Sequence, residues 1–522
     1  MKKRTCKIMA LLLACGMLAG CGSKPQETSK DAQEAEKNEQ GAEESGQETE
    51  SSSNAEQEEA QQEASGETVN IKWYVTNNNG DENPDKPEIE AAINEYIEPR
   101  IGVTVSMINP KEEPELPLAL ASGEDIDLFW TANWANGNNY ISGNSAMDLT
   151  DLLPDYPDLY GSMPENIWQA AQQGGRNYYV PIYKEAAVGH GFVYSTEKAA
   201  ENGWDFSDVK SYADLTPFLK EAYEKGATNA WLPVSNSWMA AIEDVYAMLP
   251  ICSTDGILGI RIDEGTTVEN LIESDLFKEH AALMYEWNQA GYINPERAAS
   301  TLFSFEEIGQ LMVQGDTVCA MWTTVPDNIA NASLRYGVPV GTLLESKNYL
   351  SNGGTFGSAY MVNARTEKAD ACLKFLGLLS TDQTLADLLC YGIEGKHYTR
   401  DAEGYVTVNA DAGWKNSVWS CCNVMVPSLQ KGESADKKEQ YDVFNRNAEM
   451  SILAHFLFDD SKVEAECAAV NAVCGEYFRL LDTGFYNPDE YLPKFQKALK
   501  DAGIDKIVEE AQAQYDAYRS QP

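Results

Sequence analysis

Histidine is scarce in this chain: four in 522 residues, at positions 190, 280, 397 and 455. They stand far apart and none falls in an H-E-x-x-H pattern, so each reads as structural rather than as a metal ligand. No two of the eleven cysteines form a C-x2-C pair, which removes the common zinc and redox motifs. There is no G-x-S-x-G elbow and no Walker loop, so neither a serine hydrolase of that build nor a P-loop NTPase is indicated. Gly353, Gly354 and Gly357 open no helix carrying Lys-Ser or Lys-Thr, and they read as a tight loop rather than a phosphate cradle. Positive charge is short as well. Lys and Arg number 39 against 82 Asp and Glu, a formal net charge of −43. Such a surface repels nucleic acid and anionic ligands and suits a neutral or cationic one. No repeat of fixed period is present, and no apolar run reaches the about 20 residues of a bilayer-spanning helix. Neither a metal nor an organic cofactor is expected.

What is present begins with the layout of an export signal. Met1-Lys2-Lys3-Arg4 is cationic, residues 8–18 are apolar, and Leu18-Ala19-Gly20-Cys21 closes the segment. That tetrad resembles a bacterial lipobox. The resemblance implies that 1–20 is a lipoprotein signal peptide and that Cys21, lipidated, begins the mature chain. Each buried acyl methylene adds about 0.8 kcal/mol to such an anchor. From Gly22 to Glu67 there is no aromatic and no branched apolar residue, and 14 acids oppose 3 lysines. A stretch of this kind cannot offset its ordering entropy by burial. Residues 21–67 therefore read as the lipidated cysteine and a disordered acidic tether, about 35–40 Å from end to end as a random coil. The expected location is the outer face of the membrane of a Gram-positive cell.

The 455 residues from Thr68 onward are globular in composition and exceed what one core usually supports, so two lobes are expected. Residues 71–75, 102–108 and 127–130 read as strands, with helical spacing over 89–98 and 116–121 between them. Strand, helix, strand, helix, strand is the order of an α/β parallel sheet. The first helix is expected to stop before Pro99. Residues 178–182, 191–195, 317–322 and 359–362 read as further strands. Ser304-x-x-Glu307 is a capping box opening a helix that stops at Gly315. Beyond Lys431 the pattern is nearly all helix, with Val463, Cys467, Val470, Cys474, Phe478 and Leu481 on one apolar stripe. The cysteines of this region read as buried thiols.

Several segments, in this order, resemble the extracellular solute-binding proteins of the sugar-binding, maltose-binding-like family. They are Asp125-Ile126-Asp127-Leu128-Phe129-Trp130 after Ser122-Gly123-Glu124, Tyr179-Val180-Pro181 ahead of Glu185, and Gln314-Gly315-Asp316 leading into Ala320-Met321-Trp322. Tyr360-Met361-Val362-Asn363-Ala364 with Glu367-Lys368-Ala369 completes the series. Near the end, Tyr391-Gly392-Ile393-Glu394-Gly395-Lys396-His397-Tyr398 and Asn487-Pro488-Asp489-Glu490 resemble the branch with a C-terminal domain of unknown function found in Firmicutes. The resemblance implies an α/β, two-lobe periplasmic-binding-protein-like (type II) fold with a helical C-terminal region. It also implies two or three crossovers, a cleft that shuts on a solute, no bond chemistry, and delivery to the permease subunits of an ABC importer. The expected division is 68–187 plus 323–366 in one lobe and 188–322 plus 367–522 in the other. A monomer is expected.

A sugar presents apolar C–H faces and hydroxyl edges, which aromatic rings and carboxylates or amides satisfy. Trp130 and Trp134 lie at the carboxyl end of a strand, where α/β sheets bind ligands, and Asn133 between them suits a hydroxyl. The resemblance adds Glu185, Trp322 and, on the second lobe, Trp238. Tyr360, Trp414 and Trp419 are lesser candidates. Two alternatives stay open: a peptide or cationic small solute, which the acidic body would accept, and a surface glycoside hydrolase. The latter needs two carboxylates about 5–10 Å apart.

Overall fold

The computed structural model describes residues 68–520 apart from 76–82, 109–114, 233–236, 250–255, 295–303 and 327. The signal segment, Cys21 and the tether lie outside the described residues. Counting principal elements in chain order, β1 (Val69–Tyr74) buries Ile71 and Trp73. Helix α1 (Lys86–Ile101) then lays Ile89, Ile93 and Ile97, spaced by four, against the sheet. It does not stop before Pro99. The proline sits in the last turn, and the helix closes two residues past Arg100, where Gly102 takes φ +65° and its N–H bonds Glu98 O at 2.9 Å. β2 (Val103–Ile108) runs parallel to β1, with Val69 opposite Val103. Helix α2 (Leu116–Ser122) leads to β3 (Leu128–Thr131) on the other side of β1. The expected strand over 178–182 is reduced to β4 (Val180–Pro181).

The chain crosses at β5 (Ala187–Val188) into a second region. There β6 (His190–Ser195) is followed by α3 (Ser237–Ile242), a meander of β7 (Tyr246–Met248), β8 (Leu258–Arg261) and β9 (Val268–Asn270), and α4 (Asp275–Gln289). Ser304 caps α5 (Phe305–Gln314) by accepting Glu307 N–H at 3.1 Å, and Gly315 ends it at φ +77°. β10 (Ala320–Thr323), α6 (Asn328–Tyr336) and β11 (Val340–Leu343) complete an antiparallel sheet centred on β6. The chain returns at β12 (Tyr349–Leu350), and β13 (Ala359–Val362) inserts antiparallel between β3 and β4. Helices α7 (Ala369–Leu379), α8 (Gln383–Tyr391) and α9 (Lys437–Asn447) follow. A third crossing at β14 (Glu449–Met450) leads to α10 (Glu464–Asp482), α11 (Pro488–Ala502) and α12 (Ile504–Arg519).

The cores define the lobes. Trp73, the α1 isoleucines, and Cys372, Phe375, Leu385 and Leu389 of α7 and α8 share one core. Trp73 meets Phe375 edge-on at 5.1 Å and Tyr360 at 5.8 Å, contacts that add about 0.5–1.5 kcal/mol each beyond burial. In the second lobe Trp238, Phe277 and the β7–β9 meander pack with the C-terminal helices. Cys467, Val470, Cys474, Phe478 and Leu481 are all buried there, as their spacing requires. The expected lobe boundaries need correction. Residues 323–349 belong to the second lobe, because β11 pairs with β6, and 367–448 belong to the first, because α7 and α8 complete the core over β1. Which sheet edge a returning strand joins depends on long-range pairing, which local pattern does not encode. All seven described cysteines of the body are buried and unpaired as disulfides. No described helix is long and apolar enough to cross a membrane.

Candidate functional site

The three crossovers lie side by side as one small sheet, β12 flanked by β5 and β14. Glu243 ties two of them together at their second-lobe ends. Its Oε1 accepts the His190 N–H at 2.7 Å and the Ser346 hydroxyl, and its Oε2 meets His190 Nδ1 at 2.6 Å. Beside it, Asp244 accepts Lys347 N–H at 2.8 Å. Backbone pairing plus a carboxylate clamp thus holds the lobe-to-lobe connection in register.

On the first lobe, β3 ends in a turn that the residues themselves shape. Gly137 begins the helix after it, and a Cβ there would fall 2.3 Å from the Phe356 ring, so only glycine permits this approach. Asn133 N–H bonds Phe356 O at 2.9 Å, and its side-chain oxygen accepts Trp134 N–H at 2.9 Å. The turn projects Trp134, which is 63 % exposed. Its Nε1 donates to Gly357 O at 3.0 Å, which fixes the indole plane. Trp130 is half-buried behind it, donating to Ser358 Oγ at 2.8 Å, with the two rings edge-on at 5.5 Å. Trp419, also half-buried, lies 6.4 Å from Trp134. Three indoles, two from the end of β3 and one from a distant part of the chain, therefore share one surface. Asn133 is exposed beside them, its amide 3.4 Å from Gly353 O.

At the end of the first lobe, Lys184 and Glu185 pair at 3.0 Å with both side chains largely buried. Burial pushes the Glu185 carboxyl up, but the adjoining Lys184 ammonium and, further off, the Arg335 guanidinium outweigh it and hold the group below the usual carboxylate range. Arg335 belongs to α6 of the second lobe, so this charge acts from one lobe to the other. Arg335 itself lies over Trp322 at 4.9 Å and over Phe305 at 5.2 Å. Phe305 is half-exposed while Trp322 is only 2 % exposed. The arrangement offers indole faces, an exposed amide and a paired acid and base. It suits a polar, uncharged guest with apolar ring faces.

Not every expected residue joins this surface. Trp322 alternates inward on β10 and packs on Tyr336 at 5.6 Å, so it supports Arg335 and Phe305 from beneath. Trp238 is buried against Phe277, its Nε1 donating to Gly256 O at 2.7 Å. Tyr360 lies in the first-lobe core, its hydroxyl donating to Cys421 O at 2.7 Å. Trp414 is likewise buried, bonded to Leu389 O. Trp322 and Trp238 are expected from the resemblance, Tyr360 and Trp414 as lesser candidates, and each turns its ring to a core that the local sequence does not reveal. Lys184 and Arg335 were not singled out in the sequence: Lys184 is the chain neighbour of Glu185, whereas the charge of Arg335 reaches it only through tertiary folding, and no spacing announces that. Among the described residues no group of three His, Cys, Asp or Glu is placed to hold a metal ion.

A family model described as bacterial extracellular solute-binding protein matches residues 91–392. A second, described as a domain of unknown function (DUF3502), matches 452–520. A carbohydrate ABC transporter substrate-binding protein of Streptococcus pneumoniae serotype 4 is 25% identical over 468 residues, 87% of this chain and 92% of that protein. Among solved structures, the N-glycan transport solute binding protein (NgtS) from Streptococcus pneumoniae superposes with a TM-score of 0.73. Its identity is 22%, over 86% of this chain and 99% of its own. A solute binding protein of Bifidobacterium longum infantis, described as HMO binding, superposes at 0.53 with 14% identity, over 87% of this chain and all of its own. These likenesses establish the type II two-lobe fold.

Proposed function

The chain belongs to the bacterial extracellular solute-binding protein family, and from that premise we propose that it captures an oligosaccharide outside the cell and delivers it to an ABC permease. The observation that carries this reading is the indole surface. Trp134 stands exposed beside Trp130 and Trp419 at the carboxyl end of β3. Indole faces cover the C–H faces of sugar rings, while Asn133, Lys184 and Glu185 supply partners for hydroxyls. The names of the pneumococcal relatives, carbohydrate transport and N-glycan transport, point the same way.

Mechanistically, the guest fills the space between the Trp134 surface and the α6 wall, and the connection at β5, β12 and β14 flexes. A solute that contacts both walls binds the closed arrangement better and shifts the population toward it. The closed form docks on the permease. No bond of the guest is made or broken, and the oligosaccharide leaves intact. The protein acts as a monomer, held at the outer face of a Gram-positive membrane by lipidated Cys21 and its tether. A micromolar dissociation constant, about −8 kcal/mol, lies within reach of stacked indoles and several hydrogen bonds.

The test is calorimetric titration with a panel of oligosaccharides that includes N-glycan fragments, followed by recovery of the sugar. Saturable binding with unaltered sugar is expected. A panel without any binder, with saturable binding of peptides or polyamines in the cleft instead, would overturn the assignment. Shortened sugar would point to a hydrolase.

A further inference from the structure

The second lobe carries a cavity of about 720 Å³ whose described lining includes nothing from the first lobe. Trp238, Tyr212, Ile242, Leu276 and Leu283 form its apolar floor. Glu279 and Glu286 stand two turns apart on α4 at its rim, both exposed, and neither carboxylate has a hydrogen bond or ion pair among the described residues. Asp244, between α3 and β7, and Glu345, ahead of the second crossover, also line the cavity, with Asp244 Oδ1 already accepting Lys347 N–H. Lys210, the one lysine or arginine in the described lining, turns its ammonium to Ser207 O at 2.9 Å.

The polar group at the bottom is His280, only 6 % exposed. Its Nε2 lies 2.8 Å from Asp482 Oδ1, an oxygen that also accepts Ser237 Oγ–H at 2.9 Å and Trp238 N–H at 3.2 Å. A carboxylate can only accept, so in the neutral ring the proton sits on Nε2. Nδ1, without a partner among the described residues, then keeps a lone pair on a residue of the cavity lining. The walls therefore combine four carboxylates, of Asp244, Glu279, Glu286 and Glu345, and an imidazole nitrogen with apolar and aromatic surface, against the single ammonium of Lys210. The complementary guest carries N–H donors, positive charge and a small apolar body.

We propose that this cavity is a second binding site, specific for a small organic ammonium ion and independent of the oligosaccharide cleft. It extends the protein's activity beyond solute capture for import. The full-length protein is titrated calorimetrically at low ionic strength with phenethylammonium chloride, and with 2-phenylethanol as its uncharged counterpart. Saturable binding of the ammonium ion is expected, with the alcohol at least tenfold weaker. The doubly substituted E279Q/E286Q protein keeps side-chain volume at two exposed positions, so its melting temperature stays unchanged while ammonium affinity falls at least tenfold. Trp134→Ala leaves ammonium binding intact. The proposal is overturned if the ammonium ion does not bind saturably, if the alcohol binds equally well, if E279Q/E286Q binds normally, or if Trp134→Ala abolishes binding. No sugar enters the titration, so each of these failures leaves the oligosaccharide reading standing.

Discussion

Trp134 and Trp322 carry the same side chain at 63 % and 2 % exposure, and the difference sets opposite expectations for their removal. Trp134→Ala deletes a surface ring held by one hydrogen bond, so oligosaccharide affinity falls at least tenfold, about 1.4 kcal/mol, with an unchanged melting temperature. Trp322→Ala leaves a cavity under Arg335 and Phe305 and lowers stability by about 3–5 kcal/mol. Urea unfolding of the two variants beside calorimetry separates these outcomes. At Glu185 the charge of Lys184 holds the folded carboxyl below its unfolded value. The ionised pair thus stabilises the fold above the unfolded value, about 4.3 for Glu, and that stability is lost as pH falls through the lowered folded value. Urea midpoints of wild type and Glu185→Gln should converge as pH falls from 7 toward 3. Curves that stay parallel would assign the acid sensitivity elsewhere.

At the scale of elements, the contact between α5 and α6 decides where the second wall of the cleft stands. Gly309 of α5 lies against the last turn of α6, and a Cβ at that position would fall 2.0 Å from the Tyr336 carbonyl oxygen. In an open helix interior Gly→Ala stabilises by about 0.5–1 kcal/mol. Here the backbone of α6 must move, so Gly309→Ala should instead destabilise by about 1–3 kcal/mol. The displaced α6 also carries Arg335 away from Glu185, so ligand affinity falls with stability. A higher melting temperature for Gly309→Ala would show that the helices separate freely. The α1 isoleucines and the α10 stripe were legible in sequence because a four-residue repeat is a local property of a helix. The extent of α1 through Pro99 was not, because a proline in a final turn disturbs few bonds and its effect depends on where the helix ends.

For the whole molecule, the C-terminal helices are part of the second lobe rather than an appendage. Phe495, Leu499, Ile507 and Tyr515 share a core with Trp238, Ile260 and Phe277. Deleting 452–520 would expose that shared apolar surface. The truncated chain should lose the cooperative unfolding of its second lobe and aggregate, as circular dichroism and size-exclusion chromatography would register. A soluble truncated protein with full oligosaccharide affinity would contradict this. Closure gives a second whole-molecule expectation: saturating oligosaccharide should reduce the radius of gyration in small-angle scattering, whereas phenethylammonium acting only at the second-lobe cavity need not.

The sequence by itself determined the acidic character, the absence of aromatics from 22–67, the alternation of strands and helices, the buried stripe of α10 and the family to which the ordered segments point. These are properties of composition and short-range period, which any chain carries before it folds. Tertiary structure alone decided that three crossovers join the lobes, that 323–349 and 367–448 lie in the lobes opposite to those expected, and that Trp238, Trp322 and Tyr360 face cores while Trp134 faces solvent. It also brought Trp419 beside Trp134 across some 285 residues of chain and brought the charge of Arg335 to bear on Glu185. A side chain's direction depends on which distant apolar face its own element meets, and that choice is made by burial summed over the whole fold.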